Sequence, residues 1–158
     1  MLDNYISLFK SDIPFAKMFL NSIVVTVTVI IGRLFISCLA AYATVKIKFK
    51  SANFIFIVFL LSMMLPIQAT IIPVYIMMSK IGLVNSLAAL ILPGFFDAFS
   101  IFLLRQSMAT IPDAISESAK LDGAGHLRIC WQIIVPMIKS TFATLIVLSF
   151  NGVWNDYF

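Results

Sequence analysis

The stretch PDAISESAKLDGAGHLRICWQIIVP, residues 112–136, lies between two apolar runs and carries more structural grammar than any other part of the chain. Pro112 suits a first helical turn, where a missing N–H costs nothing, and Asp113 stands where the helix dipole is positive. Residues 114–122 are good or tolerable helix formers. Gly123-Ala124-Gly125 then breaks the run, and a second short helix is expected over 126–134, ending before Pro136. From Arg105 to Lys139 the connection is about 35 residues long, far more than a hairpin between neighbouring helices requires, and connections of that length are usually functional. Two short helices with a glycine elbow have a shape suited to docking onto another protein.

Four apolar runs surround this loop. The first covers 19–45, between Lys17 and Lys46, and is broken only by Arg33. The second lies between Lys50 and Lys80, carries no charge, and contains Pro66, Gln68 and Pro73. The third covers 87–104 and is interrupted by Asp97; the fourth begins after Lys139 and has barely crossed at Phe158. Crossing a bilayer takes roughly 20 apolar residues. Lipid offers backbone N–H and C=O groups no partner but one another, so all four runs are expected to be helices.

Composition agrees. The 158 residues are 61% hydrophobic and 11% charged, with a mean hydropathy of +1.05, against about 45–50% and 25% in soluble domains. This excludes a soluble enzyme, a nucleic-acid-binding module and a disordered linker, and the bilayer becomes the first partner. His126 and Glu117 are the single histidine and glutamate, so no histidine-rich metal site can be assembled. Cys38 and Cys130 stand apart without CxxC spacing, which indicates neither a disulfide framework nor a zinc knuckle. No GxxxxGK[ST] or GxGxxG phosphate loop is present, and no cofactor or metal is expected. An intramembrane enzyme would need paired acids, an HExxH or a serine–lysine arrangement, and the lone Glu117 gives it little support.

The net charge of +4 reports topology. Lys46, Lys48, Lys50, Arg105, Lys120, Arg128 and Lys139 lie on one side of the spans, and Lys10, Lys17 and Lys80 on the other. The positive-inside rule places the first and third loops in the cytoplasm and the N-terminus outside. No signal peptide is visible in residues 1–12. Arg33 and Asp97 fall about midway along parallel spans, where a charge costs roughly 2.5–3.5 kcal/mol on insertion scales. They are expected to approach each other or line a translocation path, or each to face water or a partner independently. Pro66, Gln68 and Pro73 are expected to bend the second span. Trp154 falls near the outer interface, with Asn155 and Asp156 beside it at the outer end of any path.

Within the loop, Glu117-Ser118-Ala119 is followed by Gly123 six residues after Glu117, by Ile133 ten residues further, and by Val135-Pro136. This resembles the EAA loop of the membrane subunits of ATP-driven, binding-protein-dependent importers: E-A-A, three residues, G, nine residues, I, one residue, L-P. Asp122-Gly123-Ala124, Gly82-Leu83-Val84-Asn85-Ser86 and Trp154-Asn155-Asp156 resemble the carbohydrate-uptake branch, of maltose and glycerol-phosphate permease type. The likeness runs from about Asn21 to the end. Ser118 stands where the motif has its second alanine, Val135 replaces the leucine, and Cys130 occupies a position where an aromatic is common.

The resemblance implies an all-α, polytopic transmembrane helix bundle of the MetI-like importer-permease type. It implies a single permease domain over 1–158, incomplete relative to the usual six spans, with the coupling loop at 105–139 in the cytoplasm. It further implies a bacterial inner-membrane location and a transporter subunit that is no enzyme, since ATP is hydrolysed on a partner chain. The implied partners are a dimeric ATP-binding subunit, a second permease subunit and an extracytoplasmic solute-binding protein. Glu117, Ser118, Ala119, Asp122, Gly123, Ala124, Ile133 and Pro136 are the implied coupling residues, and Arg33, Asp97 and Asn155 are candidates for the path. A sugar or related solute is the expected cargo; a peptide or phosphate importer, or a truncated permease without transport function, is the alternative.

Overall fold

The computed structural model describes residues 14–47 and 49–156. Residues 1–12, read for a signal peptide, and Lys10 and Lys48 of the charge count lie outside the described residues. Helix α1 (Phe15–Lys46) has 32 residues, enough to cross a bilayer, at about 1.5 Å per residue. Next come α2 (Ala52–Ser62), α3 (Ile67–Lys80), α4 (Leu87–Gly94) and α5 (Ala98–Ala109). The loop supplies α6 (Asp113–Leu121) and α7 (His126–Met137), and α8 (Lys139–Trp154) completes the described chain. Among the described residues there is no strand.

Helix α1 is the axis of the bundle. It packs against α5 above all, then α8, α4 and α2. Its buried residues, among them Thr26, Val29, Ser37, Cys38, Ala41 and Tyr42, recur every three or four positions and form one stripe. Val24, Val27 and Ile31 are exposed, as lipid-facing residues would be. The principal core lies toward the loop end. There Leu34, Cys38, Ala41 and Tyr42 of α1 meet Leu104 and Met108 of α5, Ile129, Cys130 and Ile134 of α7, and Leu145 of α8.

Two expectations need correction. The second apolar run is two helices, broken at residues 63–66, and neither is long enough to span alone. Pro66 is the cause: with ψ 137 it precedes α3 in an extended conformation, while Pro73 stays inside the helix. The second loop helix does not end before Pro136 but runs through it to Met137. A wide π turn over Cys130–Ile134 makes this workable, since the Val135 N–H reaches back to the Cys130 carbonyl and the following Pro136 has no N–H to place. The chain then turns by 82° into α8.

The third run, expected as one helix, is helical on both sides of a short break at residues 95–97. Asp97 caps α5, its carboxylate accepting from the Ser100 N–H at 2.9 Å and from the Ser100 hydroxyl. Gly32 and Gly94 bring α1 and α4 together. A Cβ on Gly94 would lie 2.9 Å from Cγ1 of buried Val29, and one on Gly32 2.3 Å from the Phe95 ring. Gly94→Ala is therefore expected to cost about 1–3 kcal/mol through overpacking, read as a lower unfolding midpoint in detergent.

Candidate functional site

The loop presents two faces. On α6, Ser116 and Ala119 are buried and Ile115 packs on the core, so this side is fixed to the bundle. Ala114, Glu117, Ser118 and Leu121 are all exposed. Their spacing of three, one and three residues places them on one face of the helix. The carboxylate of Glu117 has no hydrogen-bonding or ionic partner among the described residues. Ser118 turns its hydroxyl back to the Ala114 carbonyl at 2.9 Å, which leaves a small, flat surface. Leu121 is 90% exposed, and Leu127, just past the elbow, 67%. Neither leucine stood out in the sequence. The signal was there for Leu121, which falls four residues after Glu117 on the outward stripe.

The elbow is a glycine-dependent helix stop. Gly123 has φ +81, its N–H bonds the Lys120 carbonyl at 3.0 Å, and the Ala124 N–H bonds the Ala119 carbonyl at 2.9 Å. Those two bonds across a left-handed residue form a Schellman motif, where any Cβ is strained. Gly82 ends α3 in the same way, with φ +74 and a Leu83 N–H bond to the Met78 carbonyl. Past the elbow, Ala124 and Ile133 pack on the core and Pro136 is exposed, as is Asp122 just before it.

Several contacts tie the loop to α1, among them the Phe35 ring stacked on Trp131 at 5.5 Å between centroids. Lys46, at the end of α1, donates to the Ile111 carbonyl at 2.6 Å and pairs with Asp113 at 2.9 Å. The Tyr42 hydroxyl lies 3.2 Å from Nδ1 of His126. The Cys38 and Cys130 thiols, 92 residues apart, touch at 3.8 Å and are both buried. They are free cysteines packed together, a proximity that spacing alone did not reveal.

Arg33 and Asp97, expected about midway along their spans, do not pair. The Arg33 Nε donates to the Gly94 carbonyl at 2.9 Å, capping the end of α4, while Asp97 caps the start of α5. Each charge thus satisfies one side of the break in the third span. They do share a cavity of about 170 Å³ bounded by Ser100, Leu145 and Ser149. Arg33 also borders a second cavity of about 230 Å³, whose outer end is lined by Asn21, Ser22, Trp154 and Asp156. Asn155 is not among those lining residues; its side chain turns back to the carbonyl and Oδ1 of Asn151.

Residues 33–158 match the family described as the binding-protein-dependent transport system inner membrane component. The chain belongs to that family. This membrane component is 38% identical over 148 residues to the sn-glycerol-3-phosphate transport system permease protein UgpE of Yersinia pestis, covering 94% of the chain and 53% of the relative. The corresponding protein of Pectobacterium atrosepticum is 35% identical over 144 residues, covering 91% of the chain and 51% of the relative. Among solved structures, a bacterial ABC transporter involved in import of the acidic polysaccharide alginate superposes with a TM-score of 0.85 at 28% identity. That match covers 93% of this chain and 52% of the other. The membrane component spans about half the length of the relatives it matches. Those relatives are permease subunits rather than enzymes, and the all-α importer-permease fold is the one expected from the sequence.

Proposed function

We propose that the chain forms part of the transmembrane path for ATP-driven uptake of a sugar or related solute. The 105–139 loop would couple it to a separate ATPase subunit from the cytoplasmic side. The observation that carries this reading is the outward stripe of α6, in which Glu117 has no partner and Leu121 lies almost fully in the open. A monomer gains nothing by leaving a leucine so exposed beside an unpaired acid. A groove that accepts a narrow helix face would bury the leucine and pair the acid.

The reading entails a dimeric ATP-binding subunit, a second permease subunit and an extracytoplasmic solute-binding protein. It places Glu117, Ser118, Ala119, Asp122, Gly123, Ala124, Ile133 and Pro136 in the coupling element, Ala119, Ala124 and Ile133 acting from its inner side. The solute class is supported by relatives named for sn-glycerol-3-phosphate and for alginate.

Co-purification tests the coupling role. In the assembled importer, Glu117→Lys combined with Gly123→Pro is expected to release the ATPase subunit while membrane insertion persists. The lysine reverses the one free charge on the stripe, and proline can neither adopt φ +81 nor donate the elbow hydrogen bond. Undiminished co-purification of the ATPase subunit with the double variant would count decisively against docking through this loop.

A further inference from the structure

We infer that Arg33 is the binding group for an oxyanion, a phosphate or a carboxylate, carried by the solute on the path between α1, α4 and α8. The inference rests on the reading of this chain as part of such a path and adds the charge of what passes. Its geometric basis is the way Arg33 is held. Nε is committed to the Gly94 carbonyl at 2.9 Å, which fixes the guanidinium plane. The two terminal nitrogens have no hydrogen-bond or ionic partner among the described residues. A planar fork of free donors matches the paired oxygens of phosphate and carboxylate.

Arg33 lines both the outer cavity of about 230 Å³ and the inner one of about 170 Å³. Each is far above the roughly 10–15 Å³ that a single water requires. On the outer approach, Asn21, Ser22 and Thr26 add neutral polar groups along the same helix, suited to the hydroxyls of a polyol. Two acids must be reckoned with. Asp97 lines the inner cavity but spends its carboxylate on the N–H and hydroxyl of Ser100. It offsets the charge of Arg33 at a distance and leaves the fork open. Asp156 lines the outer cavity and has a partner other than Arg33.

The test uses the chain in lipid nanodiscs with Trp131→Phe, so that Trp154, in the wall of the outer cavity, is the one tryptophan reporter left. The probes are sn-glycerol-3-phosphate for phosphate, a mannuronate trisaccharide for carboxylate, and maltose as the neutral control. At least one anionic probe is expected to shift Trp154 emission at concentrations where maltose does not, and which one responds identifies the oxyanion. Arg33→Gln can still donate to Gly94 and should keep the fold; it is expected to weaken anion binding at least ten-fold. Arg33→Lys, which keeps the charge and loses the fork, should lie between. Asp97→Asn retains a good cap for α5 and removes the opposing charge, so it is expected to tighten the anion a few-fold. A structural role for Arg33 alone gives no reason for that gain.

Maltose binding as tightly as the anions, indifference of anion affinity to Arg33→Gln, or no response to any probe from a folded chain would each overturn the inference. ATP-driven uptake by the assembled importer is measured separately. Uptake that persists while the anion results fail sinks only the inference, whereas absence of any ATP-driven uptake sinks the permease reading itself.

Discussion

Asp113→Ala is expected to destabilise the loop more than Lys46→Met, although both remove the same ion pair. The asymmetry follows from burial. The Lys46 side chain is 3% exposed and that of Asp113 48%. Without Asp113, a buried ammonium keeps one neutral acceptor, the Ile111 carbonyl at 2.6 Å, and loses a charge-assisted bond of about 1.5–3 kcal/mol. Without Lys46, the half-exposed carboxylate turns to water and methionine fills nearly the same volume, so the cost is about 0.5–1.5 kcal/mol. The double variant should be more stable than the sum of the singles predicts, by about 1 kcal/mol. Unfolding midpoints of the four proteins in detergent decide the point, and strict additivity would mean that the pair is not coupled. The functional consequence follows from position. Lys46 ends α1 and Asp113 begins α6, so releasing them cuts the most direct polar link between the loop and the central helix. If the loop couples to an ATPase subunit as proposed, ATP hydrolysed per solute moved is expected to rise in Asp113→Ala.

What could be read from the sequence and what could not divide along physical lines. Local rules worked where the signal is local. Gly123 marked the elbow because a left-handed helix stop selects glycine. The apolar runs read at 19–45 and 87–104 lie within helical spans at Phe15–Lys46 and Leu87–Ala109, because length and hydropathy settle that much. Pairing between distant elements was out of reach. Arg33 and Asp97 are expected at similar depth, yet each is held by a backbone break, and no periodicity shows which of two offers a charge takes. Cys38 touches Cys130 because Ser37, Cys38 and Ala41 form a small-residue face on α1, and nothing in the spacing says which helix lies against it. The passage of α7 through Pro136 was missed because proline usually ends a helix, and the π turn that relieves it has no sequence signature of its own.

Leu121→Asp is expected to separate folding from docking more cleanly than any change at the elbow. At 90% exposure the leucine touches little of its own chain, so replacing it should alter the stability of the membrane component by no more than about 0.5 kcal/mol. If the α6 stripe enters a groove on the ATPase subunit, the same residue becomes a buried apolar anchor beside Glu117. Truncating an anchor of that kind typically costs 2 kcal/mol or more. Such a loss corresponds to roughly thirty-fold weaker association. Aspartate should do worse than alanine, because it adds a second acid to the face that already carries Glu117. Gly123→Ala makes the contrasting case: it leaves the stripe intact and strains the left-handed position by about 1–2 kcal/mol. Its first effect should therefore be on the unfolding midpoint of the loop, with association reduced only as far as the elbow angle moves. Measuring both quantities for both variants gives a two-by-two result in which Leu121→Asp moves chiefly association and Gly123→Ala chiefly the midpoint. Association unchanged by Leu121→Asp, in a chain that remains folded, would remove α6 from the interface however well its spacing matches.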